Sequence, residues 1–180
     1  PLTRWSRRVG AREPWVCVDS HTAGEGTRLV VAGVPGLEAG DMAEKRRFLM
    51  EEQDDLRRAL LREPRGHADL LGAVLTPPVT PDASFGLVYM DARRYPYLCG
   101  HATIGAVTTW LELSEAPLPS RDLRALVVDT PSGPVRAEAR IEGGRVAAVA
   151  VEPEPALVYR RGAPIEVPGF GEMTVDIVLA

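Results

Sequence analysis

Three short runs in the second half of the chain constrain the fold most strongly. They cover residues 123–129, 135–141 and 145–151, and the short segments between them contain Pro131-Ser132-Gly133 and Glu142-Gly143-Gly144. Strand-like runs joined by short turns that contain proline and glycine are typical of β-hairpins. Such short connections favour antiparallel pairing, because a parallel strand needs a long crossover. The sequence therefore predicts an antiparallel meander here.

The remaining predicted elements alternate between strands and helices. Further strands are predicted at 15–19, 27–32, 68–76, 84–91 and 172–180. A helix is predicted over 42–61, because Asp41 and Glu44 have the spacing of a capping box and apolar residues recur along one side. That apolar side comprises Phe48, Leu49, Leu56, Leu60 and Leu61. The basic residues of the same helix are predicted to form a solvated face: Lys45, Arg46, Arg57 and Arg58.

The overall charge and hydropathy exclude several classes of partner. The 180 residues carry a formal net charge of -4, so no basic field attracts nucleic acid. No apolar run approaches the roughly 20 residues that span a bilayer, so no membrane partner is predicted. Residues 1–14 are predicted to be a terminal arm, since their polar, basic start lacks the apolar core of a secretory signal.

The cysteines and histidines show no metal-binding spacing. Cys17 and Cys99 lie far apart, as expected of free thiols in a reducing cytoplasm. No metal site is predicted, because the histidines are scattered without an H-x-x-x-H pattern. They are His21, His67 and His101. Cys17 is predicted to be a core residue, because it lies inside the first strand.

The stretch from Tyr97 to Gly105 carries the clearest chemical signal. Cys99 directly precedes a predicted helix whose apolar residues are Ile104, Val107, Trp110 and Leu111. Unpaired backbone N–H groups at a helix start favour the reactive thiolate and also bind carboxylates. Gly100 would allow a ligand to approach the backbone closely. The alternative is an inert cysteine that packs as a small apolar residue.

Three stretches together resemble the proline racemase family, which also includes hydroxyproline epimerases and trans-3-hydroxyproline dehydratases. They are Asp19-Ser20-His21-Thr22-Ala23-Gly24-Glu25, Glu63-Pro64-Arg65-Gly66-His67 and Cys99-Gly100-His101-Ala102-Thr103-Ile104-Gly105. The resemblance runs in register from about Val16 to the end of the chain.

The resemblance implies both a fold and a set of site residues. It implies an α/β fold similar to diaminopimelate epimerase, in which each of two lobes is a curved antiparallel sheet around a central helix. It implies no cofactor and no metal. Cys99 matches the cysteine that exchanges the Cα proton of proline or hydroxyproline. Gly100 and His101 match positions whose backbone N–H groups hold the substrate carboxylate.

The family pattern also implies that part of the active site is absent from this sequence. Residues 15–160 correspond to the first lobe and residues 161–180 to the beginning of the second. The second catalytic residue of the family, a cysteine in racemases and epimerases or a threonine in dehydratases, has no match here. The alternatives are therefore a dehydratase, a homodimer that places two copies of Cys99 face to face, or an inactive binding lobe.

Overall fold

The computed structural model describes residues 14–152 and 157–179. The predicted arm therefore lies outside the described residues, apart from Pro14. Within the described ranges the elements in chain order are β1 (Val16–Thr22), β2 (Glu25–Ala32), α1 (Met42–Glu52), α2 (Asp54–Leu61), β3 (Leu71–Thr76), β4 (Phe85–Met90), α3 (Gly100–Glu112), β5 (Arg121–Thr130), β6 (Gly133–Glu142), β7 (Arg145–Glu152), β8 (Leu157–Val167) and β9 (Gly171–Leu179).

Strands β1 to β7 form one sheet whose spatial order follows the chain. The predicted meander is confirmed, because β5, β6 and β7 pair antiparallel through the two predicted turns. Antiparallel pairing does not extend to the whole sheet, since β2 pairs parallel with β3 and β4 pairs parallel with β5. Helices interrupt both of these connections, and a crossover of that length returns the next strand in parallel.

The sheet curves around α3, which contacts both its first strand, β1, and its last strand, β7. The predicted α/β lobe with a central helix is therefore confirmed. The sheet buries apolar side chains on both faces, because neighbouring residues of a strand point to opposite sides. On one face Leu29, Ala73, Leu87 and Tyr89 pack against Ala102, Ala106 and Val107 of α3. On the opposite face Val30, Val74, Val88 and Met90 pack against Leu49 of α1 and against Leu56 and Leu61 of α2.

The single helix predicted over 42–61 is wrong, since the structure has two helices that meet at Gln53. Glu51, Glu52, Asp54 and Asp55 surround the break. In one continuous helix these acids would form like-charge pairs at spacings of three and four residues, which are destabilising. With the break, Asp54 and Asp55 lie in the first turn of α2, where negative charge is favourable.

The predicted solvated face is also wrong for two of its four basic residues. Lys45 and Arg57 are 2% and 5% exposed. Lys45 Nζ donates to the Pro77 carbonyl at 2.7 Å, and Arg57 Nε pairs with Asp54 Oδ1 at 2.7 Å. These polar partners make burial of the two charges tolerable.

Strands β8 and β9 form a separate two-stranded sheet and pair with each other. The predicted boundary between residues 160 and 161 falls inside β8. The crossing segment that Pro153 and Pro155 suggest lies outside the described residues. No described helix is long and apolar enough to cross a bilayer.

Candidate active site

Cys99 is the residue at which the central helix begins. Its backbone is extended, with φ -147° and ψ 110°, and the first helical residue is Gly100. The helix forms here because Ala102, Ala106, Val107 and Leu111 recur at helical spacing and are buried against the sheet. The N-terminal residue of this buried helix is therefore fixed by the packing of the core.

The thiol of Cys99 leaves the helix start uncapped. It makes no capping hydrogen bond, yet the N–H groups of His101 and Ala102 lie near enough to lower its pKa. A Cβ atom added at Gly100 would meet none of the described residues within 4 Å. The first turn of α3 therefore presents backbone donors beside a thiol, with open space in front of them, which is an arrangement suited to a small carboxylate.

The net pKa of Cys99 is nevertheless raised above its ordinary value. Burial is the largest cause, and the carboxylates of Glu25 and Asp91 raise it further, against the opposing N–H groups of His101 and Ala102. The helix start therefore acts on the pKa of Cys99 in the expected direction, toward the thiolate, but its effect is the smaller one. Desolvation and neighbouring negative charge outweigh the helix terminus.

The tip of the β1–β2 hairpin contacts the start of α3. Thr22 Oγ1 donates to the His101 carbonyl at 3.1 Å, and Glu25 Oε2 lies 3.4 Å from His101 Nδ1. The side chain of His21 instead accepts from the N–H of Gly24 within the turn, at 3.3 Å. The first and third sequence motifs therefore meet through Thr22 and Glu25, whereas His21 is a local turn residue.

A residue that the sequence motifs did not single out, Arg28, joins the first motif to the second. Its guanidinium pairs with Asp19 in two hydrogen bonds, at 2.8 and 2.7 Å. It also donates to the carbonyls of Leu60 and Arg65, each at 2.7 Å. The pKa of Asp19 is lowered, chiefly by the hydrogen bond from Arg28. The sequence offers one signal for this link, because Arg28 and Asp19 face each other across the β1–β2 hairpin.

The close approach of the Leu61 backbone explains why the second motif contains a glycine at position 66. A Cβ atom at this position would lie 2.4 Å from the Leu61 carbonyl carbon, too close for any other residue. The following residues lead the chain toward the site. His67 is exposed, and Ala68 and Asp69 line an open groove of about 580 Å³.

Glu25 and Asp91, the two carboxylates that raise the pKa of Cys99, also line that groove, whereas Cys99 itself does not. Arg93 and Arg94 line it as well, so it carries both charges. A cavity of about 620 Å³ lies elsewhere, on strands β5, β6 and β7, and no cysteine or histidine lines it.

Cys17 does not belong to this site. It packs against the apolar cluster on the α1 and α2 side of the sheet, whereas Cys99 packs against the cluster on the α3 side. The prediction that Cys17 packs with the core is consistent with this, although its side chain is only partly buried. Across 14–152 and 157–179, no group of three or more His, Cys, Asp or Glu side chains is arranged to hold a metal ion.

The fold and the first turn of α3 define an α/β protein with a single thiol beside free backbone donors. The chain belongs to the proline racemase family, since the family model described as "Proline racemase" matches residues 17–179. The family resemblance predicted from the three motifs is therefore confirmed.

Individual relatives agree with this assignment. The proline racemase of Clostridioides difficile is 41% identical over 160 residues, which are 89% of this chain and 48% of that protein. The 4-hydroxyproline 2-epimerase of Ancylobacter novellus is 40% identical over 169 residues, which are 93% of this chain and 50% of that protein. The chain thus spans about half the length of these curated relatives.

A solved structure supports the fold independently. The probable proline racemase of Agrobacterium radiobacter K84, crystallised with bound carbonate, superposes with a TM-score of 0.79 at 27% identity. The match covers 90% of this chain and 48% of that one.

Proposed function

We propose that this chain carries the Cys99 half of a cofactor-independent racemase or epimerase that acts on proline or hydroxyproline. The observation that carries the proposal is the start of α3, where the thiol of Cys99 lies beside first-turn N–H groups that its side chain does not cap. Relatives about 40% identical are a proline racemase and a 4-hydroxyproline 2-epimerase. A carboxylate held at this helix start would place the adjacent Cα–H next to the sulfur.

The chemistry requires both parts of this arrangement. The Cα–H of an amino acid is a weak acid, so a thiolate removes it only if the developing negative charge is stabilised. Backbone N–H groups from Gly100 and His101 would hold the carboxylate and supply that stabilisation. Cys99 rests mainly as the thiol at neutral pH, because its pKa is raised. It is therefore ready to donate a proton, and it must lose its own proton before it can act as a base.

Inversion of configuration also needs an acid/base group on the opposite side of the substrate. Cys17 packs on the other face of the sheet and does not supply it. We place this group in the portion of the relatives that the chain does not span. A cysteine there would give racemisation or epimerisation, and a threonine would give dehydration of trans-3-hydroxyproline. A second copy of the chain facing the first is the alternative source.

The proposed division into lobes follows from which strands share a sheet. The seven-stranded sheet around α3 is the first lobe, and the β8–β9 hairpin belongs to the second. Because one strand belongs to one sheet, we move the boundary from residue 160 to the residues before Leu157. We also retain the cytoplasm as the location, since both cysteines are free thiols.

A second function, a binding lobe without catalysis, is favoured by the burial of Cys99. The thiol packs against the core cluster on the α3 side, and this burial raises its pKa, away from the reactive thiolate. Such a lobe would still bind a small carboxylic acid at the start of α3.

Exchange of the Cα proton in D2O, followed by NMR with L-proline and with trans-3-hydroxy-L-proline, tests the proposal. A single acid/base group predicts slow exchange without fast racemisation, and the substrate that exchanges distinguishes the racemase from the dehydratase. No exchange from folded protein that still binds the acid would favour the binding lobe. Fast racemisation by this chain as a monomer would contradict the need for a second group.

A further inference from the structure

Cys99 is both the N-cap residue of α3 and the proposed reactive residue, so its side chain is not available to cap the helix. Serine, threonine, asparagine and aspartate usually fix the N-cap by accepting hydrogen bonds from the first turn. The Cys99 thiol makes no such bond. Something other than its side chain must therefore fix the backbone at Cys99.

The carbonyl of Cys99 takes over this role. It accepts from the N–H of Thr103 at 3.0 Å and from Thr103 Oγ1 at 2.8 Å. Both of its acceptor positions are thus occupied by one residue a turn further along α3. Thr103 is completely buried, so solvent does not compete for these bonds.

A second residue completes the connection to the sheet. Tyr89 Oη lies 2.7 Å from Thr103 Oγ1 and is itself buried in the core on β4. Because the Thr103 hydroxyl already donates to Cys99, the proton between the two hydroxyls must come from Tyr89. The hydrogen bonds therefore run in one direction, from Tyr89 through Thr103 to the Cys99 carbonyl, and each polarises the next.

This chain of bonds reaches the substrate donors through a planar group. The Cys99 carbonyl and the Gly100 N–H belong to one peptide plane, in which they point in opposite directions. Fixing the carbonyl toward Thr103 therefore turns the Gly100 N–H outward, into the open space in front of the helix start. The same bonds hold the Cα of Cys99, and with it the origin of the thiol side chain.

We propose that Tyr89 and Thr103 are positioning residues that orient the Cys99 thiol and the Gly100 N–H from inside the core. The inference rests on the proposed function for its purpose, since the geometry matters only if this helix start binds and reacts. It assigns no direct contact with substrate to either residue. It predicts instead that removing a buried hydroxyl changes the chemistry of the thiol through hydrogen bonds to the Cys99 backbone.

The test compares the pH dependence of Cys99 alkylation by iodoacetamide in four variants, with Cys17 followed in the same samples by peptide mass spectrometry. Tyr89→Phe and Thr103→Val each remove one hydroxyl and keep the packing. Thr103→Ser keeps the hydroxyl. Thr108→Val is the matched control, because Thr108 Oγ1 makes the same kind of bond, to the Ile104 carbonyl at 2.9 Å, in the middle of α3.

Tyr89→Phe and Thr103→Val should raise the apparent pKa of Cys99 by about half a unit, a roughly threefold loss of thiolate at neutral pH. The shift is upward because the N–H groups of His101 and Ala102, which lower this pKa, would no longer be aligned with the sulfur. Thr103→Ser should keep the original profile, and Thr108→Val should not shift it. Wild-type profiles for Tyr89→Phe and Thr103→Val, or an equal shift for Thr108→Val, would overturn the inference.

Two arrangements keep the result interpretable. If Thr103→Val does not fold, Tyr89→Phe decides alone, because it retains the buried ring. Protection of wild-type Cys99 by pyrrole-2-carboxylate, a planar mimic of the carbanion, is measured in parallel. If the compound does not protect wild-type Cys99, the result counts against the proposed function. The alkylation profiles would still decide whether Tyr89 and Thr103 position the thiol.

Discussion

Two helices of this protein begin in opposite ways. At the start of α1, the Asp41 carboxylate accepts from the Glu44 N–H at 2.7 Å, and the Glu44 carboxylate accepts from the Asp41 N–H at 3.0 Å. At the start of α3, Cys99 makes no side-chain cap, and the next residue is a glycine with open space before it. One helix start is closed by its own residues, and the other is left open.

The two helix starts differ in what their first N–H groups can do. Those of α1 stabilise the helix, whereas those of α3 can bind a ligand. A capping box stabilises a helix by satisfying N–H groups that have no partner inside the helix. Leaving those groups free at α3 forgoes that stabilisation, but it keeps donors available to an anionic ligand. Because α3 is buried in the centre of the sheet, its packing maintains the helix without a cap. A helix that the core holds in this way can leave its first turn open.

The largest expected effect comes from replacing Cys99, which is both the proposed acid/base group and the N-cap residue of α3. Cys99→Ser should lower Cα-proton exchange by about 10²- to 10⁴-fold, because the acid/base group is lost. The free energy of unfolding should stay the same or rise, since serine is a favoured N-cap. NMR exchange and urea unfolding measure the two quantities. Exchange at the wild-type rate would show that Cys99 is not the acid/base group.

Two glycine variants sharpen the contrast between open and packed positions. Gly100→Ala should weaken protection by pyrrole-2-carboxylate about tenfold, roughly 1.4 kcal/mol, because the methyl group enters the open space. Its fold should be intact, since the methyl group meets no neighbour among the described residues. Gly66→Ala is the matched change and should instead cost about 2–3 kcal/mol of stability, because it collides with the backbone of Leu61. Equal effects of both variants on protection would contradict this reading.

The closed helix start should respond in stability alone. Asp41→Ala should lower the free energy of unfolding by about 1 kcal/mol, the usual cost of losing an N-cap. The alkylation rate of Cys99 should not change, because α1 packs on the other face of the sheet. Asp41→Asn is the control, since asparagine caps equally well. A changed Cys99 rate in Asp41→Ala would show that the two helix starts are coupled.

The smallest expected effect concerns the charge beside the open start. Glu25 raises the pKa of Cys99, so Glu25→Gln should lower that pKa. More thiolate is then present at neutral pH, and alkylation should become about two- to threefold faster, a small change because Glu25 is partly exposed and screened. Glu115→Gln, beyond the far end of α3, serves as the control. A slower reaction in Glu25→Gln would mean that its contact with His101 matters more than its charge.

Several local features follow directly from local sequence signals. The capping box at Asp41 and Glu44, the two turns of the meander and the helix that starts after Cys99 all form as predicted. Each depends on residues within a few positions of one another, so the sequence contains the whole cause. The burial of Lys45 also has a local signal in the sequence, which the prediction of a solvated face overlooks. Lys45 lies three residues after Met42 and four before Leu49, and therefore on the buried stripe of α1.

Features set by distant residues could not be predicted from one sequence. The parallel pairs depend on where whole helices cross, and the contacts of Arg28 with Leu60 and Arg65 join residues 32 and 37 positions apart. The pKa of Cys99 depends on burial and on Glu25 and Asp91, which only the fold brings near. The family resemblance located the thiol, but the environment of the thiol required the structure.

Alkylation of Cys99 in the presence and absence of pyrrole-2-carboxylate tests the central claim most directly, with Cys17 as the reference in the same molecule. The open start of α3 predicts that the compound slows alkylation of Cys99 and leaves Cys17 unchanged, because the two thiols lie on opposite faces of the sheet. Equal rates for Cys99 with and without the compound, in folded protein, would contradict the assignment of this helix start as the substrate site.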